Sequence, residues 1–176
     1  MGTKRKRQIS EETRARLQFY ANLHKKKWEK WREAARIEAK KEFNKFLSNP
    51  LFVAGIILYW GEGDRKMSNG LVRLGNTDWR VIALFIEFLE KIAKVSKDKI
   101  RLALILYPDL LEKDCKKFWS QQCKIPLKQF YKTQFIQGKH PTKRLPYGVC
   151  NVVVSSRRLK EKIFVWIDLF ARNYLK

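Results

Sequence analysis

Between Pro50 and Gly63 the chain reads PLFVAGIILYWGEG, fourteen residues without a charge until Glu62. In so basic a chain, such a stretch must be held by other parts of the protein, and its boundaries are written on either side. Asn49 can cap a helix, and Pro50 suits the first helical position, where a missing N–H costs nothing. Gly61 and Gly63 mark the end, with Asp64, Arg65 and Lys66 beyond. The spacing therefore predicts a helix from about residue 51, apolar on nearly every side and buried on most of them.

Around this segment the chain is strongly basic. It has 176 residues, with 39 Lys+Arg against 17 Asp+Glu and a formal net charge of +22. Charge of that density makes a polyanion the expected partner, with nucleic acid first. A hydrophobic content of 45% supplies a core and excludes wholesale disorder. No run reaches the roughly 18 apolar residues of a membrane span, and MGTKRKRQISEE lacks an apolar leader stretch. A soluble protein of the cytoplasm, associated with the nucleoid and without membrane or small-molecule cofactor, is the expectation. Cys115, Cys123 and Cys150 form no CxxC pair, and only His24 and His140 could join them as soft ligands. Neither a zinc finger nor a disulfide framework is expected, and small buried hydrophobes are the simpler reading.

Residues 1–47 and 48–176 divide the organisation. The first part carries 15 Lys+Arg against 6 Asp+Glu, a net of +9, with no Gly or Pro after Gly2. One long helix over residues 10–47 is predicted, with Ser10 as cap. Leu17, Tyr20, His24, Trp28, Trp31, Ala35, Ala39, Phe43 and Phe46 form an apolar stripe. That stripe can dock on the core or on a sister subunit, while the basic flank lies along phosphates. The second part, net +13, alternates strands and helices. Strands are predicted at 70–75, 99–107, 127–136 and 147–155, and helices at 78–95, from Pro108-Asp109 onward, and from residue 156 to the end. The class is α+β.

Glu62 is the residue out of place. A carboxylate opposes the partial negative charge at a helix C-terminus, so helix chemistry gives no reason for it. A divalent cation would reverse that penalty: Mg²⁺ takes carboxylate oxygens, keeps waters and accepts phosphate oxygens. Glu62 is thus a candidate metal ligand for phosphodiester chemistry. The alternative is a salt bridge to Arg65, Lys66 or Arg73.

GIILYWGEG at residues 55–63 resembles the motif helix of the LAGLIDADG homing endonucleases, many of which end it in Gly-Glu-Gly. VRLGNTDWRVIALFIEFLEKI at 72–92 is similar to the family's second strand and following helix. YGVCNVVVSSRRLKEKIFVWIDLF at 147–170 is similar to its closing strand and helix. Roughly residues 50–172 are covered. The chain departs from the pattern at Ile57, where a small residue is usual, and at Trp60, where Asp is common. Residues 108–125 look like an insertion. The resemblance implies a mixed-sheet saddle packed by helices, here preceded by the basic N-terminal helix. It also implies paired motif helices, and an acidic residue at each helix foot that holds metal between scissile phosphates. Glu62 matches that position.

With one motif copy, an active protein would be a homodimer reading a pseudo-palindromic duplex. Ala54, Leu58 and Gly61, at spacings of four and three, are the expected dimer contacts. Strand alternation nominates Lys128, Lys132 and Gln134 on one face, and Arg73, Lys99 and Arg101 as further DNA-binding strand positions. A solvated strand face would look the same. Lys139, Lys143 and Arg144, in the turn GKHPTKR, suit phosphates, with His140 a neutral loop residue. Three functions follow: a Mg²⁺-dependent double-stranded DNA endonuclease of homing type, a non-catalytic DNA-binding protein or transcription regulator on the same fold, and a structural RNA-binding protein supported by charge alone. A Glu retained between two glycines favours the first, because a carboxylate facing phosphates does not help binding.

Overall fold

The computed structural model describes residues 10–137 and 145–175. Among them, five helices and a four-stranded mixed sheet make an α+β arrangement, in which α1 packs on α5. In chain order these are α1 (Glu11–Phe46), α2 (Pro50–Glu62), β1 (Leu71–Asn76), α3 (Trp79–Lys91), β2 (Arg101–Leu106), α4 (Glu112–Cys123), β3 (Gln134–Phe135), β4 (Val149–Ser155) and α5 (Arg157–Tyr174). The sheet order is β1-β4-β2-β3, antiparallel except where β3 runs parallel to β2. No described helix is long and apolar enough to cross a membrane.

The helix ends follow the local signals. The Asn49 side chain accepts from Leu51 N and Phe52 N, Pro50 opens α2, and the Gly63 amide closes it on Tyr59 O. Ser10, Asp78 and Ser156 cap α1, α3 and α5 with their side chains. The core lies between helices and sheet. Phe52 meets Phe43 and Trp166 edge-on, and Tyr59 stacks on Phe85, all of them buried. The three cysteines are buried free thiols, as expected of small hydrophobes.

The structure revises several expectations. In α2, only Phe52, Gly55, Ile56 and Tyr59 are buried, and the opposite side is open, with Ile57 41% exposed. The closest approach is at Gly55, where a Cβ would lie 2.2 Å from the Phe88 ring. The α1 stripe buries only Ala35, Ala39 and Phe43. α5, its packing partner, starts level with Trp28, so Leu17, Tyr20 and Trp28 itself stay exposed. The strand predicted at 127–136 is broken. Residues Leu127–Gln129 form a 3-10 turn, and pairing with β2 is confined to Phe130–Leu102 and to β3. The buried Gln129 amide donates to Lys97 O and Ile100 O at 2.7 Å, which ties the turn to the base of β2 and costs the strand its start. Lys128 and Lys132 are therefore not on one strand face with Gln134. Lys99 sits in the turn Lys97–Lys99, ahead of β2. α4 begins at Glu112, because Leu110 N closes a turn on Tyr107 O first. Lys139, His140, Lys143 and Arg144 lie outside the described residues.

Candidate nucleic-acid interface and carboxylate site

Two carboxylates leave α2 two residues apart and meet opposite fates. Glu62 is exposed and makes no ion pair with Arg65, Lys66 or Arg73, which removes the salt-bridge alternative among the described residues. Arg65 turns to Trp60 O instead, at 3.3 Å. Asp64 is drawn inward and held on several sides. It accepts from Lys66 N at 2.8 Å and Asn69 Nδ2 at 2.6 Å, with Arg73 at 3.6 Å and Lys160 at 3.9 Å. Burial alone would raise its carboxyl. The hydrogen bonds from Lys66 and Asn69, with the cations of Lys160 and Arg73, outweigh burial and hold it below the usual carboxylate range.

Lys160 is the hidden half of this cluster. It is fully buried on α5, and its ammonium donates to Lys66 O at 2.7 Å and Asn69 Oδ1 at 3.0 Å. Burial pulls its pKa down, and Asp64 opposes the fall. The Tyr59 hydroxyl donates to Asp64 O at 2.9 Å, and burial, with Asp64 nearby, pushes it up to about 12. Together these groups fasten the segment after α2 to β1 and α5, with Asp64 N bonded to Arg73 O and Gly63 bridged to Leu74. Glu62 thus projects from a fixed foot. Neither Asp64 nor Lys160 was nominated from sequence. The available signal was Lys160 itself, a charge three residues before Ile163 on the inward side of the last helix.

The sheet turns Val72, Leu74, Leu102, Leu104, Cys150 and Val152 inward and presents its other face without a covering helix. On that face Arg73, Val153 and Arg101 stand in one cross-strand row, which sets the two arginine Cα atoms about 10 Å apart by the usual strand spacing. The next row is Gly75, Asn151 and Ala103. A Cβ on Gly75 would lie 2.6 Å from Asn151 Oδ1, so the glycine leaves room for that amide. Both arginines have internal acceptors. Arg73 reaches Asp64, and Arg101 bonds back to Asp98 O and Ile100 O. Arg73 remains half exposed. Gln134, Lys128 and Lys132 are exposed beyond the β2 edge.

Ala54 and Leu58 are partly exposed and Gly61 is open, with nothing within 4 Å of a Cβ placed on it. Ile57 and Gly61 are the exposed part of this side of α2, and Leu58 at its margin also packs against the core. One chain offers no cluster of three or more His, Cys, Asp or Glu for a metal among its described residues. A hard cation here would therefore have Glu62 as its protein ligand from one chain, a donor set that suits Mg²⁺ when a second carboxylate, waters and phosphates complete it.

No family model matches this chain, and neither does a curated protein or a solved structure.

Proposed function

We propose that the chain is a double-stranded DNA endonuclease of homing type, with a LAGLIDADG-like domain over roughly residues 50–172, that acts as a homodimer. The observation that carries this reading is Glu62: a carboxylate without an ion pair among the described residues, on a fixed foot, at the end of a helix that leaves Ile57 and Gly61 exposed on one side. Pairing α2 with α2 through Ala54, Leu58 and Gly61 would cover that side and bring the two Glu62 carboxylates together. Mg²⁺ held there by Glu62 would supply charge neutralisation and Lewis acidity to the phosphodiester. The chain's own part is to fix the carboxylate, exclude bulk from the paired helices and lay duplex across the open sheet face. Arg73 and Arg101 flank that face. Each can exchange an internal acceptor for a phosphate without moving its strand.

The test pairs activity with stability. Purified protein is incubated with a randomised duplex library in Mg²⁺ or in EDTA, and bound and cut ends are sequenced. The parent should cut with Mg²⁺ alone. Glu62→Gln should lose cutting by several orders of magnitude, keep its melting temperature and bind at least as tightly, because a charge that repels phosphates has gone. Cutting that survives in the Gln variant eliminates Glu62 as ligand. A parent that binds but never cuts its best target replaces this reading with the non-catalytic DNA-binding one.

A further inference from the structure

α1 and α5 run in the same direction. Arg36 pairs with Glu161, Glu38 with Arg158 and Lys162, and Ala39 O accepts from Trp166 Nε1 further along. Trp28 is the last α1 residue alongside α5, under the Arg157 guanidinium. Everything in α1 before it extends past the start of α5 as an exposed helix. Residues 11–27 make this arm about 25 Å long at the helical rise. Its direction is set by its base: Arg32 and Arg36 border a cavity with Met67, Ser68 and Arg157, and Arg157 donates to Ser68 O. The arm leaves the molecule beside the turn that follows Glu62, not at the far end.

The arm is two-sided. The side continuing the packed stripe holds Leu17, Ala21 and Trp28. The opposite side holds Phe19, Leu23 and Lys26, continued at the arm's base by Lys30, at spacings of three and four and flanked by Arg16 and Lys27. Phe19 is 61% exposed. A lone helix in water has no use for such a surface, and its isolated stability is marginal. Residues 1–30 carry 10 Lys+Arg against 3 Asp+Glu, a net of +7, so two such arms repel one another. On the free side Phe19 and Leu23 form one apolar patch, with Arg16 at one end and Lys26, Lys27 and Lys30 at the other. The complementary surface must offer anions on either side of an apolar strip, as the phosphates and sugars of a nucleic-acid backbone do.

We infer that the projecting half of α1 is a clamp that lies along duplex DNA beside the cleavage site, with Lys26, Lys27 and Lys30 on phosphates and Phe19 and Leu23 against the sugars. This rests on the duplex-binding part of the proposed function and adds to it a contact outside the domain. The arm extends the footprint of each chain by about 7 base pairs at the ordinary rise of DNA.

The experiment compares two full-length variants of equal charge: K26Q/K27Q/K30Q in the arm and at its base, and K40Q/K41Q/K45Q on exposed positions further along the packed half. Gln keeps helix propensity, so both should melt with the parent. Affinity for a random duplex of about 40 base pairs is measured against salt, where each lost phosphate contact lowers the log–log slope by about 0.9. The arm variant should lose up to about 2.7 in slope per chain, the control much less, and K26R/K27R/K30R should restore the parent slope. Equal slopes for arm and control variants overturn the clamp while leaving duplex binding intact. A parent without salt-dependent binding sinks the duplex reading itself, and the clamp with it. A sedimentation change in the arm variant without DNA assigns the arm to a second copy of the chain, which also overturns the clamp.

Discussion

Two glycines six residues apart in α2 have opposite surroundings, and the contrast runs through the whole helix. Gly55 faces inward, where Phe88 occupies the space a side chain would need, and Gly61 faces outward into open space. The same division separates the carboxylates: Asp64 is enclosed by two cations and two amides, and Glu62 is exposed with no ion pair among the described residues. One side of α2 is therefore finished within the chain and the other is not. A helix this apolar with one side uncovered is costly unless something covers it in use. Identical residue types on the two sides should then respond differently to identical changes, and that is where the reading can be broken.

The largest response is expected at Gly55. In Gly55→Leu the new side chain must displace the buried Phe88 ring, and overpacking of this kind costs about 3 kcal/mol. Chemical denaturation should show it as a lower midpoint with DNA absent, and a midpoint equal to the parent's would mean that α2 and α3 do not pack as described. Next comes Asp64→Ala. Fully buried pairs lose roughly 3–5 kcal/mol when one member goes. About 2 kcal/mol is expected here, because Arg73 is half exposed and Lys160 keeps Lys66 O and Asn69 Oδ1. Glu62→Gln, by contrast, should leave the midpoint within about 0.5 kcal/mol, as surface changes do. If the two carboxylates proved equal in stability, the division between a structural and a free acid would fail.

Much of this division was readable in advance, and the unread part has a common cause. α2 announced itself through Asn49, Pro50 and Gly63, signals local to the chain, and β1, β4 and α5 lie within a residue or two of their predicted limits. Glu62 stood out because it contradicts its own helix end. Asp64 did not, because what makes it structural is Lys160, brought from α5 by the fold. The segment 127–136 shows the same limit. Its alternation suggested a strand, but Gln129 turns inward to two carbonyls of the β2 approach, a tertiary demand that overrides pattern. Local grammar places elements, and long-range polar partners decide which charged residues are spent inside.

Titration probes the finished side on its own. Asp64 has a folded pKa below its unfolded value, so its contribution is complete above about pH 4 and is lost as pH falls through the lower folded value. Tyr59 is the mirror case. Its folded pKa is raised to about 12, so its contribution is complete below the unfolded value of about 10 and is lost between there and 12. Stability measured against pH should fall at both limits. Asp64→Asn should shrink the acid limb, to which other lowered carboxyls such as Glu38 also contribute, and Tyr59→Phe should shrink the alkaline limb. An alkaline limb that survives undiminished in Tyr59→Phe would assign it to other groups.

The smallest effect on stability is expected at Gly61, where it is also the most informative. Gly61→Leu adds a side chain whose Cβ has nothing within 4 Å among the described residues, so denaturation of the isolated protein should move by less than about 0.5 kcal/mol, against about 3 kcal/mol for the same substitution at Gly55. The consequence should appear in association. If the uncovered side of α2 is where two copies meet, the backbones must approach closely at Gly61, and a Leu there holds them apart. Sedimentation should then shift from dimer towards monomer, and, on the proposed endonuclease reading with Glu62 from both chains, cutting should fall with the dimer fraction while duplex binding by single chains persists. A monomeric parent, or a variant that stays dimeric, would place the interface elsewhere, and the free carboxylate would then have no second copy of itself with which to share a metal.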